Sequence, residues 1–182
     1  MRIIGGDARG RSIDCPRGSR VRPTTDRVKE SLFSILHPVM GYRFLDVFAG
    51  CGNVGLEALS RGASFAAFIE RDPRLVQTIR GNLRVLGYED RTEIVLADAV
   101  LGMKRLGGKG ERFDIVFADP PYDEGFLAGV ISALEEDLLA ADGIAVIQHS
   151  VREILEVSQS REMALVDQRR YGDTMLSFVK RG

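Results

Sequence analysis

Leu45-Asp-Val-Phe-Ala-Gly-Cys-Gly-Asn-Val-Gly55 carries the spacing Gly50-x-Gly52-x-x-Gly55 between an apolar run and a stretch of helical periodicity. Glycine permits a tight turn there and lets a ligand approach the backbone where a Cβ would clash. The helix that follows presents unpaired N–H groups suited to an anion. Glu70 stands twenty residues beyond Gly50, closing the next apolar run, where a carboxylate can hold ribose hydroxyls. Strand, glycine loop, helix and acidic strand end together suit adenosine-containing cofactors as a class. They do not by themselves separate a nicotinamide dinucleotide from S-adenosylmethionine. A chance glycine-rich turn would not bring the other three features with it.

On either side of this stretch the chain alternates between β-rich and helical runs. Strands are expected at 43–48, 65–69, 92–97, 113–118 and 143–148, with helices at 53–61, 75–86, 100–106 and 126–134 between them. Two closing strands, 163–170 and 174–180, read as antiparallel neighbours joined through Tyr171-Gly-Asp173. Alternation of this kind implies an α/β, Rossmann-like architecture, a seven-stranded and mostly parallel sheet with helices on both faces. Upstream, Ile3-Ile4 and Ser12-Ile13 flank a turn-rich Gly-Gly-Asp-Ala-Arg-Gly connection, which predicts an N-terminal β-hairpin. Val28, Leu32, Ile35 and Leu36 then recur at helical spacing. Thr24, Thr25 and Asp26 are cap candidates, and the helix should end near His37-Pro38. Residues 1–40 are read as a basic extension of the same unit, and 41–182 as the cofactor-binding domain.

Three acidic strand ends favour S-adenosylmethionine. Asp46 lies four residues before the glycines, where it could face a methionine ammonium. Asp98 ends the third strand and can accept from an adenine amine, although a plain helix N-cap is the competing reading. The fourth run, Phe113-Asp-Ile-Val-Phe-Ala118, stops at Asp119-Pro-Pro-Tyr122, where the prolines end the ladder. A carboxylate, rigid carbonyls and a ring thus stand at the carboxyl end of a buried strand, the edge where open α/β sheets bind ligands. A Pro-Pro turn that merely ends the strand is the bland reading. Clustered carboxylates repel one another, however, and are hard to justify without a ligand.

Composition sets bounds. The 182 residues, 45% hydrophobic and 28% charged, suit one domain that buries about 70% of its unfolded surface. No apolar leader opens the chain and no run is long enough to cross a bilayer, so a cytoplasmic protein is expected. Cys15 and Cys51 are too few for a disulfide framework or a thiolate zinc site, and no metal is expected. Net charge is −1, but residues 1–29 hold eight Lys or Arg against three Asp, a surplus of five that leaves −6 for the remainder. Such a segment can neutralise phosphates or simply be solvated. His37 and His149 have no ordering partner visible in the sequence and are assigned no role.

The residues also carry a resemblance that spans nearly the whole chain. Arg2-Ile-Ile-Gly-Gly6, Arg9-Gly-Arg11, Arg22-Pro-Thr-Thr-Asp-Arg-Val-Lys-Glu30, Asp46-Val-Phe-Ala-Gly50, Glu70-Arg-Asp72 and Asp119-Pro-Pro-Tyr122 are similar to the RsmD family of bacterial 16S rRNA guanine-N2 methyltransferases, within the class I S-adenosylmethionine-dependent enzymes. The glycine loop and the tetrapeptide mark only the superfamily; the Arg-Pro-Thr-Thr segment and the N-terminal stretch are the specific part. Cys51 departs from the smaller serine often found in that loop. The resemblance implies that Asp46, Phe48, Gly50, Cys51, Gly52, Gly55, Glu70, Arg71, Asp98 and Ala99 surround the cofactor. It implies that Asp119, Pro120, Pro121 and Tyr122 meet the target amine, and that Arg9, Arg11, Arg20, Arg22 and Thr25 contact RNA. A monomer acting on 16S rRNA within an assembling small ribosomal subunit follows as the expectation. Two rivals stay open: a DNA adenine-N6 methyltransferase, which also uses Asp-Pro-Pro-Tyr, and a non-catalytic RNA-binding assembly factor that keeps the fold.

Overall fold

The computed structural model describes residues 1–16, 24–135, 138–157 and 163–182. The apolar runs form β1 (Arg43–Val47), β2 (Phe65–Glu70), β3 (Thr92–Leu96), β4 (Phe113–Ala118), β5 (Leu139–Ser150), β6 (Met163–Tyr171) and β7 (Thr174–Arg181). They make one seven-stranded sheet of order β3-β2-β1-β4-β5-β7-β6. The first five strands pair in parallel, and β7 pairs antiparallel with both β5 and β6. β1 and β4 lie mid-sheet and are apolar on both faces: Phe44 and Phe117 point into one core cluster, Leu45 and Ala118 into the other. β6 is an edge, and its run Asp167-Gln-Arg-Arg170 keeps a polar, charged border there.

Among the described residues five α-helices cover the sheet: α1 (Asp26–Ile35), α2 (Asn53–Ser60), α3 (Pro73–Leu86), α4 (Ala99–Gly108) and α5 (Phe126–Glu135). Side chains of α1, α2 and α3 fill the first cluster, and those of α4 and α5 fill the second. Thr25 caps α1 by accepting the Val28 N–H at 3.4 Å. Ile35, expected on the inner stripe, is instead 40% exposed, and Phe33 takes the buried place against Phe44. Asp72 and Asp98 cap α3 and α4 by accepting from Arg74 and Val100.

The expected N-terminal hairpin is reduced to a short antiparallel pairing: Arg2 bridges Ser12, Ile3 N–H donates to the Arg11 carbonyl and Ile13 N–H to the Met1 carbonyl, each at 2.9 Å. The reason it goes no further lies in where the next backbone donors go. Ile4 N–H reaches Glu57 Oε2 at 2.9 Å, Asp7 N–H reaches the Ser60 carbonyl and Ala8 N–H reaches Ser60 Oγ. N–H groups spent on α2 cannot also lengthen the ladder. Ile3, Ala8 and Ile13 join the first core cluster, which anchors this segment to the sheet domain.

Lys29 is the largest fully buried polar side chain in that contact. Its ammonium donates to the Arg2 carbonyl (2.9 Å), Asn53 Oδ1 (2.8 Å) and Glu57 Oε2 (3.4 Å). Glu57, equally buried, also holds Arg61 at 2.8 Å. Removing one side of such a pair leaves a buried charge uncompensated, which typically costs about 3–5 kcal/mol. Lys29→Met should therefore lower the unfolding free energy by about that amount in urea titrations. A change below about 0.5 kcal/mol, the ordinary surface range, would contradict the role given to this ammonium.

Candidate active site

The carboxyl ends of the parallel strands bring three acidic residues to one edge. Asp46 is buried on β1, and its Oδ2 accepts the Gly55 N–H at 2.8 Å. Burial pushes its carboxyl well above the usual carboxylate range, and the neighbouring charges of Asp119 and Glu70 push it further, against the pull of the Gly55 amide. Glu70 ends β2 and is spread across two amides: Oε2 accepts from Gly50 and Oε1 from Asp72, each at 2.8 Å. The loop between β1 and α2 is thus tied at both ends by strand-end carboxylates. Gly50 and Gly52 take left-handed φ values of 57° and 82° there. Gly55 serves a different need, since a Cβ on it would lie 2.3 Å from the Phe68 ring. It brings α2 down onto β2.

Asp119 leaves β4 with its backbone N–H still donating to the Val47 carbonyl. Its Oδ1 accepts from Gln148 Nε2 at 2.8 Å, and Thr24 Oγ1 reaches its Oδ2 at 3.5 Å. Pro120 is buried behind it. Tyr122 is half-buried, and its hydroxyl meets Thr174 Oγ1 of β7 at 3.1 Å. Thr24 is held in turn, because Asn53 Nδ2 donates to the Thr24 carbonyl at 3.1 Å while its Oδ1 accepts from Lys29. A polar chain therefore runs from the buried Glu57–Lys29 pair to the carboxylate of the tetrapeptide.

The other expected site residues sort themselves around this edge. Phe48, at a left-handed φ of 62°, packs edge-on against Phe126 with ring centroids 5.4 Å apart. Cys51 is buried and joined in a disulfide to Cys15, their Cα atoms 5.5 Å apart, a bridge the sequence reading did not foresee. It fastens the N-terminal segment to the glycine loop. Asp98 is exposed and caps α4 while Ala99 begins that helix, and Arg71 is exposed. Arg9 is exposed as well, whereas Arg11 donates to the Val85 carbonyl at 2.6 Å on α3, and Thr25 serves as the α1 cap. Arg20 and Arg22 lie outside the described residues. Sequence reading missed Gln148, Asn53 and Thr174, and gave Lys29 no structural part. The one available signal for Gln148 was a polar residue at the end of the apolar run Ile144-Ala-Val-Ile147. His149 is a buried core histidine bonded to the Ser150 carbonyl and to Ser177 Oγ, and burial lowers its pKa. Among the described residues no group of three or more His, Cys, Asp or Glu could hold a metal ion.

A parallel β3-β2-β1-β4-β5 sheet closed by an antiparallel β7-β6 pair, with a glycine loop and acidic strand ends on one edge, defines a class I S-adenosylmethionine-dependent methyltransferase. SMU.776, described as a putative methyltransferase complexed with SAH, shares this fold at a TM-score of 0.69 and 15% identity, over 85% of this chain and 48% of its own. The likeness to a putative methyltransferase yhhF from Escherichia coli is far fuller, with a TM-score of 0.86, 35% identity and coverage of 100% and 97%. A family model described as "Conserved hypothetical protein 95" matches residues 1–180, and the chain belongs to that family, the RsmD family of methyltransferases. Among curated relatives, a putative rRNA methyltransferase YlbH from Bacillus subtilis is 35% identical over 100% of this chain and 99% of its own. The ribosomal RNA small subunit methyltransferase D of Escherichia coli K12 is 44% identical over 78% of this chain and 70% of its own.

The close seat of α2 on Phe68 is testable apart from activity. Gly55→Ala should lower stability by about 1–3 kcal/mol, the usual cost of overpacking. It should weaken S-adenosylmethionine binding in the same samples, read by thermal shift and calorimetry. A Gly55→Ala variant with the parent's melting temperature and cofactor affinity would show that α2 has room to spare.

Proposed function

We propose that this chain transfers a methyl group from S-adenosylmethionine to the exocyclic N2 amine of a guanine in 16S rRNA. The observation that carries the reading is Asp119, held by Gln148 and Thr24 at the exit of β4 and followed by the buried Pro120 and the half-buried Tyr122. Relatives described as rRNA methyltransferases, which align with most of this chain, support rRNA as the substrate class. Cytoplasmic action on an assembling small subunit completes the proposal.

The residues present fit the cofactor. Glu70 keeps lone pairs free on both oxygens while bound to two amides, which suits a ribose diol. Exposed Asp98, beside the Ala99 amide, suits an adenine amine, and the acidic crevice of Asp46, Glu70 and Asp119 suits a cation. The bound cofactor supplies an electrophilic methyl group on a sulfonium. Everything else falls to the chain. A guanine amine is a poor nucleophile because its lone pair is delocalised into the ring. Asp119 and the Pro120 carbonyl, both accepting from its hydrogens, favour a pyramidal nitrogen and aim its lone pair at the methyl. This is orientation plus preorganised charge, with no covalent enzyme intermediate. As the nitrogen becomes positive, the Asp119 carboxylate stabilises it, and the proton that the amine must lose as the methyl is transferred departs to water. Tyr122, its hydroxyl held by Thr174, stacks on the base, a contact worth about 1–3 kcal/mol in comparable cases. The base is extruded or already unpaired when it enters. Arg9 offers a phosphate contact from the exposed surface of the N-terminal segment.

Asp119→Ala tests this directly. Transfer of labelled methyl to hypomethylated small-subunit particles should fall about 10²–10³-fold in kcat, the usual loss when one preorganised polar group is removed. The cofactor Kd should rise by no more than about fivefold, since Asp46 and Glu70 still keep the crevice acidic. Undiminished turnover would remove Asp119 from the chemistry.

A further inference from the structure

We infer that Gln148 reads the hydrogen-bonding edge of the target base, its Oε1 accepting the N1–H of a guanine whose N2 amine lies against Asp119. The inference rests on the guanine-N2 reading above and assigns the selectivity of that site to a particular side chain. Gln148 stands at the carboxyl end of β5, beside Asp119 at the end of β4, because Ala118 pairs with Ile147 in register. Both side chains point to the α1 side of the sheet, since Phe117 and Val146, two residues earlier on each strand, lie in that cluster. Gln148 Nε2 donates to Asp119 Oδ1 at 2.8 Å. The carboxylate thereby fixes which way the amide points, for the flipped amide would set two acceptors face to face.

The other end of the amide is left with nothing. Gln148 is only 5% exposed, and its Oε1 has no hydrogen-bond partner among the described residues. A buried acceptor in that state is uncommon, and it asks for an explanation. Leu or Met would fill the same volume without it. The amide instead holds Asp119 with one group and keeps a second acceptor beside it. Two neighbouring acceptors match the edge of guanine, where N1–H and the N2 amine are neighbouring donors. They mismatch adenine, which sets an acceptor at N1 beside its amine. A base without a proton at N1 meets Oε1 lone pair to lone pair, and a site built around a donor rejects the analogue that lacks it.

The test uses small-subunit rRNA in which the mapped target guanosine is replaced, by splinted ligation, with 2-aminopurine. That base keeps the exocyclic amine but carries a lone pair at N1. Single-turnover methyl transfer is measured on both substrates for the parent chain and for Gln148→Leu, with Gln148→Ala as the second variant should leucine disturb folding. Melting temperature and cofactor Kd are read on every sample, because a merely structural role would move those. The parent should prefer guanosine by about 10- to 100-fold, the discrimination expected of a well-placed base contact. In the variants that ratio should collapse to within about threefold, mainly through loss of the guanosine rate, with cofactor Kd unchanged. A ratio that survives the substitution overturns the inference. A parent that forms no N2-methylguanosine on any substrate overturns the guanine reading itself, and so the two failures are told apart.

Discussion

A fully buried ammonium sets the terms for much of this structure. Lys29 has no access to water, and its charge is met by the Arg2 carbonyl, Asn53 and Glu57. Burial lowers its pKa while Glu57 raises it, so the charge persists only while those partners stay in place. The three partners come from the N-terminal segment, the first turn of α2 and its middle. One side chain thus fixes α1 against α2 and draws the N-terminal segment over both. Through Asn53 the same network positions Thr24 beside Asp119. The N-terminal segment and the strand-end edge that carries Asp119 are held by one network.

The second constraint is electrostatic. Asp46, Glu70 and Asp119 converge at neighbouring strand ends; burial raises the Asp46 pKa, and repulsion from Asp119 and Glu70 raises it further. Backbone amides of Gly50, Gly55 and Asp72 offset part of that repulsion and organise the glycine loop in doing so. The remainder favours a cation in the crevice. A sulfonium cofactor with an ammonium tail is the kind of ligand such an edge suits, and a dinucleotide pyrophosphate is the kind it resists.

The parallel core was legible because buried strands and amphipathic helices write their periods plainly, and the observed boundaries of β1 to β7 fall within a few residues of the apolar runs. The acidic strand ends were legible for a related reason: Asp46 and Glu70 are polar residues near the ends of the apolar runs of β1 and β2, and Asp119 directly follows β4. What the sequence hid depends on partners far along the chain. The N-terminal segment has the turn chemistry of a hairpin and pairs briefly with itself, yet the donors of Ile4, Asp7 and Ala8 go to Glu57 and Ser60, more than fifty residues away. The Cys15–Cys51 bridge spans 36 residues and gives no spacing cue. Gly55 fits a phosphate-loop pattern, but its close neighbour is the Phe68 ring. Gln148 became visible only when β4 and β5 set it beside Asp119.

Nucleoside analysis after methyl transfer is the most direct measurement. The protein would be incubated with labelled S-adenosylmethionine and, separately, hypomethylated 30S particles, protein-free 16S rRNA and duplex DNA. Label recovered as N2-methylguanosine from the ribosomal substrates, with more from particles than from free RNA, is the result the proposed function predicts. Label recovered as N6-methyladenine from DNA, or no transfer despite measurable cofactor binding, would contradict it.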